Sequence, residues 1–468
     1  MKRALSALVL AAAAAGCAQG GRPASSPEPA SASQAPAAPV PFPSTYTPFP
    51  SRPTLIRGGT VMTAAGEIIP NGQVLMADGK IVAVGATVDA PADAAVVDAS
   101  GKYVTPGIID THSHLGAYPS PSVDAHSDGN EMSDPVTADV WVEHSVWPQD
   151  PGFARALAGG ITTLQVLPGS ANLVGGRSVV LKNVPARTVQ AMKFPGAPYG
   201  LKMACGENPK RVYGGRGRAP STRMGNVAGY RAAWISAERY RKQWDDWERQ
   251  GRPADKVPNR DLEMETLAGV LRGDILVQNH CYRADEMAQM IDIAKEFGYQ
   301  IRSFHHGVEA YKVRDLMARD SISGSLWADW WGFKMEALDG MDANIALVHD
   351  AGARAVVHSD DEGGIQRLNQ EAAKAMAAGR RAGIEISQND ALRWITANAA
   401  WTLGIQDRVG TLEPGKQADV VVWSGNPFSV YSRAEKVFVD GALLFDRNDP
   451  SRQPVMDFEL GILPAEAR

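Results

Sequence analysis

What most constrains this chain is a set of short apolar runs that each end in a metal-ligating residue type. The first, 104–109, passes Pro106 and Gly107 and leads into Asp110, Thr111, His112, Ser113 and His114. Successive strand residues alternate faces, so His112 and His114 project from the same side of one strand end. Two imidazoles held in that way can share a late first-row metal ion. The runs 275–279, 299–304 and 353–359 lead in turn to His280, to the pair His305 and His306, and to Asp360. Each is followed by helix-like sequence or a glycine-rich turn. Polar ligands at the carboxyl ends of several strands are how a (β/α)8 barrel assembles a catalytic centre. Strand-like and helix-like stretches alternate along this part of the chain, the sign of a parallel α/β fold.

Other segments fit that frame. The stretches 160–167 and 199–205 read as buried strands. Residues 285–297 read as a capped amphipathic helix closed by Gly298. The stretch 230–250 is expected to be helical, with Ala233, Ala237, Tyr240, Trp244 and Trp247 on one face packed against the barrel. Short alternating strands are expected at 55–62, 72–85 and 95–98, with a hairpin signal at Asp78-Gly79. The style returns at 418–445. Neither end suffices for a sandwich alone.

Three motifs carry a family resemblance: 106–114 (PGIIDTHSH), 396–400 (TANAA) and 409–423 (VGTLEPGKQADVVVW). They resemble the metal-dependent amidohydrolases, the superfamily of imidazolonepropionase, dihydroorotase, and the isoaspartyl and prolyl dipeptidases. The resemblance spans residues 53–450. It implies an α/β fold: a (β/α)8 TIM barrel over 104–403, beside a small β domain built from both chain ends, 53–103 and 404–450. It also implies one or two divalent metal ions per chain, zinc foremost, held by His112, His114, Lys202, His280, His306 and Asp360. In binuclear relatives the strand lysine is carboxylated and bridges the ions; Lys202 matches it, and Glu207 is the alternative bridge. Asp360 takes the place of the catalytic acid–base carboxylate, with Asp361 as its rival. Of the adjacent histidines His306 is taken as the ligand, with His305 outward or behind it. His358 either orients Asp360 or is structural.

The implied reaction is hydrolysis of a carbon–nitrogen bond, in an amide or cyclic amide of a small molecule, by metal-activated water. A dipeptidase or prolidase is the nearer alternative, and a non-catalytic solute-binding lipoprotein the more distant one. Arg216, Arg218 and Arg223, in and after a glycine-rich loop, and Arg283 are candidate contacts for a substrate carboxylate. His126 and His144 read as surface residues of an insertion, and His349 as structural. A net charge of −5 gives no basic surface for nucleic acid. Substrate identity and oligomeric state have no signature in the sequence.

The amino terminus reads as a targeting segment. Lys2 and Arg3 precede an apolar stretch, 4–16, that is too short to span a bilayer and ends in small residues before Cys17. It resembles a bacterial lipoprotein signal over residues 1–17, with Cys17 as the lipid-carrying residue. The implied location is the periplasmic side of the outer membrane, with membrane contact only through the lipid. Simple cleavage would instead leave a soluble periplasmic or secreted protein. Residues 18–52, rich in Ala, Pro and Ser, are expected to form a disordered tether. The remaining cysteines, Cys205 and Cys281, read as small buried thiols with no disulfide framework.

Overall fold

Two eight-stranded sheets organise the computed structural model, which describes residues 41–453 apart from Pro121. The leader, Cys17 and the first part of the expected tether lie outside the described residues. The first sheet takes strands from both chain ends. Five come early: β1 (Thr54–Met62), β2 (Ile68–Ala77), β3 (Lys80–Gly85), β4 (Ala95–Asp98) and β5 (Tyr103–Pro106). The barrel-like sheet follows: β6 (Ile108–Ser113), β7 (Ile161–Val166), β8 (Val174–Lys182), β9 (Gly200–Ala204), β10 (Leu276–Cys281), β11 (Ile301–His306), β12 (Ser323–Leu326) and β13 (Ala355–Val357). The chain then returns to the first sheet as β14 (Val420–Trp423), β15 (Ala434–Val439) and β16 (Ala442–Asp446). Antiparallel pairing of β14 with β5 joins the two ends. The β2–β3 and β15–β16 hairpins both turn on an Asp-Gly pair with positive φ, Asp78-Gly79 and Asp440-Gly441, as tight primed turns require. Between the faces of this sheet's strands lie Ile56, Val61, Val74, Met76, Val420, Val422 and Phe438, all buried together.

The barrel-like sheet keeps sequence order from β6 to β13. One strand departs from the expected all-parallel arrangement: β8 runs antiparallel to both β7 and β9. The reason is the connection. Only residues 167–173, without a helix, separate β7 from β8, and a parallel return needs a crossover of about a dozen residues or more. β13 and β6 share no ladder among the described residues. Their seam is bridged by the Asp360 N–H, which donates to the His112 carbonyl at 2.9 Å. Gly107 opens β6 because a Cβ there would collide with the Thr162 side chain.

The helix expected at 285–297 spans Ala284–Phe297, with Gly298 in a left-handed cap. The longer one begins earlier than expected, at Arg223, where the Thr222 hydroxyl accepts the Gly225 N–H. Its inner face buries Tyr230, Ala233, Trp234, Ala237 and Tyr240. Trp234, outside the expected face, lies 4.4 Å from the Tyr299 ring. Among the described residues no helix is long and apolar enough to cross a membrane.

Two expectations need correction. Residues 44–52 do not behave as a tether. Ser44 Oγ donates to the Lys193 carbonyl at 2.6 Å, the Thr45 N–H to Gln190 at 2.9 Å, and the Tyr46 hydroxyl to Asp440 at 2.6 Å. The Ala/Pro/Ser composition has already given way to Tyr46 and Phe49, whose rings pack against the core. Cys205 and Cys281 are not free thiols but a disulfide with Cα atoms 5.2 Å apart. Parallel pairing of β9 with β10 brings them together, and the Cys205 N–H donates to the His280 carbonyl at 2.9 Å. A separation of 76 residues hides that adjacency in the sequence.

Candidate metal centre

The carboxyl ends of β6, β9, β10, β11 and β13 converge on one cluster. His112 and His114, projecting from the end of β6 as expected, face Asp360 just beyond β13. The Nε2 atoms of His112 and His114 lie 3.2 and 3.0 Å from Asp360 Oδ1. One ligand atom from each of the three residues fits within 4.8 Å, the spacing of a site that could hold a metal ion. A second such group joins His112, His306 and His358. His280, whose ring centroid is 4.6 Å from that of His306, is 2% exposed. Neither of its ring nitrogens has a hydrogen-bond partner among the described residues. A buried polar group without a partner is costly, and a metal ion would satisfy it.

The hydrogen bonds around the cluster assign its tautomers. His114 Nδ1 lies 2.8 Å from the Leu167 carbonyl, which can only accept. Nδ1 therefore carries the proton and, in the neutral ring, Nε2 keeps its lone pair. For His112 the assignment runs through two neighbours. Gln278 Nε2 donates to the Thr402 carbonyl, so its Oε1 accepts from His305 Nε2 at 2.7 Å. Neutral His305 then accepts at Nδ1 from His112 Nδ1 at 2.8 Å. His112 Nε2 is left as an acceptor. His112 Nε2, His114 Nε2 and the Asp360 carboxylate thus face one another as three donor atoms placed for a cation, with the Lys202 amine 3.2 Å from His112 Nε2.

Burial and neighbouring charge disfavour the protonated form of five of the cluster's histidines. Burial, then the Lys202 charge, holds His112, His280 and His305 well below the ordinary histidine range. Burial does the same for His306 and pushes His358 down to about 4. Burial would raise the Asp360 carboxyl, but His306, His114 and His358 around it hold it well below the carboxylate range. Lys202, 1% exposed, places Nζ 3.2 Å from His112 Nε2 and meets no carboxylate within ion-pair distance among the described residues. Burial pushes it down to about 8.

Backbone geometry also contributes. His306 and Asp360 are non-glycine residues with φ of 72° and 57°, a conformation that side chains disfavour and that clusters at functional sites. At His306 the turn breaks strand alternation, so His305 and His306 both reach the interior: His305 backs His112, and His306 faces Asp360 at 3.8 Å. Asp110, not singled out in the sequence, fastens the barrel seam. Its carboxylate accepts the Ser359 hydroxyl at 2.5 Å and the backbone N–H groups of Ser359 and His112 at 3.2 and 3.1 Å. Burial nevertheless pushes Asp110 up to about 7. Its place two residues before His112, on the same strand face, was the available signal.

Other expected residues lie elsewhere. Glu207 opens a helix and pairs with Lys334 at 3.3 Å, outside both ligand groups. The four arginines have partners of their own. Arg216 donates to the Met132 carbonyl, Arg218 to Ser133 and Asp134, and Arg223 and Arg283 share Asp285. Arg223 lines an outer hollow with Arg231, Gln289 and Asp292, between two helices rather than at the cluster. Asp361 turns to its own loop, accepting the Gly364 N–H. His126 and His144 rest against Trp147 and Trp141, and His349 against Trp394.

Comparison with known proteins agrees with this geometry. The pattern of the Amidohydrolase family matches residues 332–444. Amidohydrolase tasK of Hapsidospora irregularis is 34% identical over 377 residues, 76% of this chain but 38% of that protein, so the chain spans well under half of this relative's length. A 5-methylthioadenosine/S-adenosylhomocysteine deaminase of Symbiobacterium thermophilum is 26% identical, covering 79% of this chain and 84% of that protein. The crystal structure of an amidohydrolase from Thermotoga maritima MSB8 superposes with a TM-score of 0.78 at 37% identity, covering 84% of this chain and all (100%) of that one. With a relative of that identity matched along its whole length, and a His/His/Asp cluster at the mouth of the barrel-like sheet, this chain belongs to the amidohydrolase family.

Proposed function

We propose that this protein is a metal-dependent hydrolase of a small molecule, cleaving an amide or cyclic amide carbon–nitrogen bond other than a peptide bond. The observation that carries the reading is the convergence of His112 Nε2, His114 Nε2 and Asp360 Oδ1 within the spacing of a metal site. The donor set suits zinc. His112, His114 and Asp360 would hold one ion, and His280 and His306 a second. Lys202 as a carbamate would bridge the two, since an amine pushed down to about 8 gives up its proton more readily than an ordinary lysine and, once neutral, can take up CO2 with release of a second proton. When bound, such a metal lowers the pKa of a coordinated water to about 7 and polarises the scissile carbonyl. Asp360, held ionised, takes a proton from the attacking water and returns it to the leaving nitrogen. His305 and Gln278 keep His112 in its ligating tautomer, and Asp110 with Ser359 sets the distance between β6 and Asp360. A screen of cyclic amides, acylated amines and dipeptides on the zinc-loaded protein, with metal analysis alongside, tests the reading. Turnover of dipeptides alone would replace it with the prolidase alternative.

We also read the two sheets as a (β/α)8-type barrel over 104–403 and a small β domain from 53–103 and 404–450. Export with a lipid on Cys17 fits the Cys205–Cys281 disulfide, a bond that persists in oxidising compartments such as the periplasm. Cys17→Ser should move the protein out of the membrane fraction, and unchanged membrane attachment would refute the anchor.

A further inference from the structure

We propose that an aromatic wall beside the metal centre, running from Trp327 to Trp330 and Phe333, is a subsite for a planar aromatic substituent of the substrate; this rests on the hydrolase reading above. The wall starts at the chemistry. Trp327 stacks on His306 with ring centroids 4.3 Å apart and planes inclined by 27°. Its indole N–H donates to the Ser359 carbonyl at 3.1 Å, which fixes the ring next to Asp360. Trp330 continues the stack at 5.0 Å and 17°, and Phe333 meets Trp327 edge-on at 5.7 Å. His306, Trp327, Trp330, Trp331 and Met341 line one narrow hollow of about 10 Å³, so the wall is contiguous with one of the candidate ligands, His306.

Exposure grows outward along the wall. Trp327 is 7% exposed, Trp330 40% and Phe333 54%. Large aromatic groups left open to water in one patch mark a binding surface. The loop that presents them is tied back on itself, the Gly332 N–H donating to the Ala337 carbonyl at 2.8 Å. The occupant follows from continuity. The innermost ring touches a candidate metal ligand, so a group lying on the wall belongs to a molecule whose reactive bond sits at the cluster. A flat ring matches the parallel indoles, and offset stacking rewards it beyond simple area burial.

Two hydroxamic acids of unequal size test the assignment, because the hydroxamate group binds a metal ion and the substituent then reports the wall. Calorimetric titration of the zinc-loaded, full-length protein should show benzohydroxamate binding about tenfold tighter than acetohydroxamate. In the double variant Trp330→Ala/Phe333→Ala the preference should fall to near unity while the acetohydroxamate affinity stays as in the wild type. Absence of acetohydroxamate binding would overturn the hydrolase reading itself. Acetohydroxamate binding without a phenyl preference, or a preference that survives in the variant, would overturn only the subsite. A dimer in sedimentation that the double variant dissociates would give the wall to a second copy of the chain, and would overturn it too.

Discussion

Two lysines sit on neighbouring strands of the barrel-like sheet, both 0–1% exposed, and they are treated in opposite ways. Lys182, at the end of β8, points toward the terminal sheet. Its Nζ meets Asp440 at 2.8 Å and Asp419 at 3.3 Å, and the Tyr46 hydroxyl completes the group on Asp440. Lys202, on β9, has only a histidine nitrogen, His112 Nε2, as its near neighbour and no carboxylate in ion-pair range among the described residues. Burial alone does not distinguish architecture from function; satisfaction does. A buried charge whose partners are all present pins elements together. One whose partners are missing has been left for something that binds.

The most severe way to break the comparison acts on the unsatisfied side. Asp360→Asn should lower kcat by about 10²–10⁴-fold, the usual worth of a positioned acid–base group. Steady-state kinetics with metal analysis checks it, and Asp361→Asn, altering a loop cap, should be milder. The reverse ranking would move the base to Asp361. On the satisfied side, Lys182→Met leaves Asp419 and Asp440 facing each other without a cation. Denaturant unfolding should show a loss of about 3–5 kcal/mol, the cost of breaking a buried ion pair, with partial recovery on adding Asp440→Asn.

Lys202→Met should do the opposite in the metal-stripped protein. The folded state holds this amine at about 8 against an ordinary 10.5, so below pH 8 burying it as a cation opposes folding. As pH rises from about 8 to 10.5 the folded state sheds the proton first and the wild type gains stability. The variant should therefore be more stable by something on the order of 3 kcal/mol at pH 7, with the gap closing toward pH 10.5. Equal stability at all pH values would place a hidden partner beside Lys202. With metal restored, the same substitution should reduce the count from about two ions per chain. The smallest effect is expected at Arg218→Ala. Its exposed bond to Asp134 should contribute at most about 1 kcal/mol, and kcat should not change.

These contrasts also mark what was legible in the sequence. His112 and His114 could be read because a local rule, strand alternation, fixes where both point. Asp360, His280 and His306 followed because each ends an apolar run. Features that depend on which strands become neighbours were hidden. The reversed direction of β8, the pairing of Cys205 with Cys281 and the seam contact of Asp110 with Ser359 are all of that kind. β12, Ser323–Leu326, is built of small residues around one Leu and carries no strand pattern of its own. His305 was obscured for another reason. Alternation allows only one of two adjacent histidines inward, and the positive φ at His306 suspends that rule.

The Cys205–Cys281 bond bears on how the protein is made. It closes the two strands that carry Lys202 and His280, and Cys281 is the next residue after His280. A chain produced in a reducing cytosol would present two thiols there, soft donors that compete well for zinc. Zinc held by Cys281 and His280 would count in elemental analysis as a filled site while standing in the wrong coordination. Oxidative folding before metal loading removes that competitor. Preparations from the two routes should therefore differ in activity per zinc bound, even at equal zinc content.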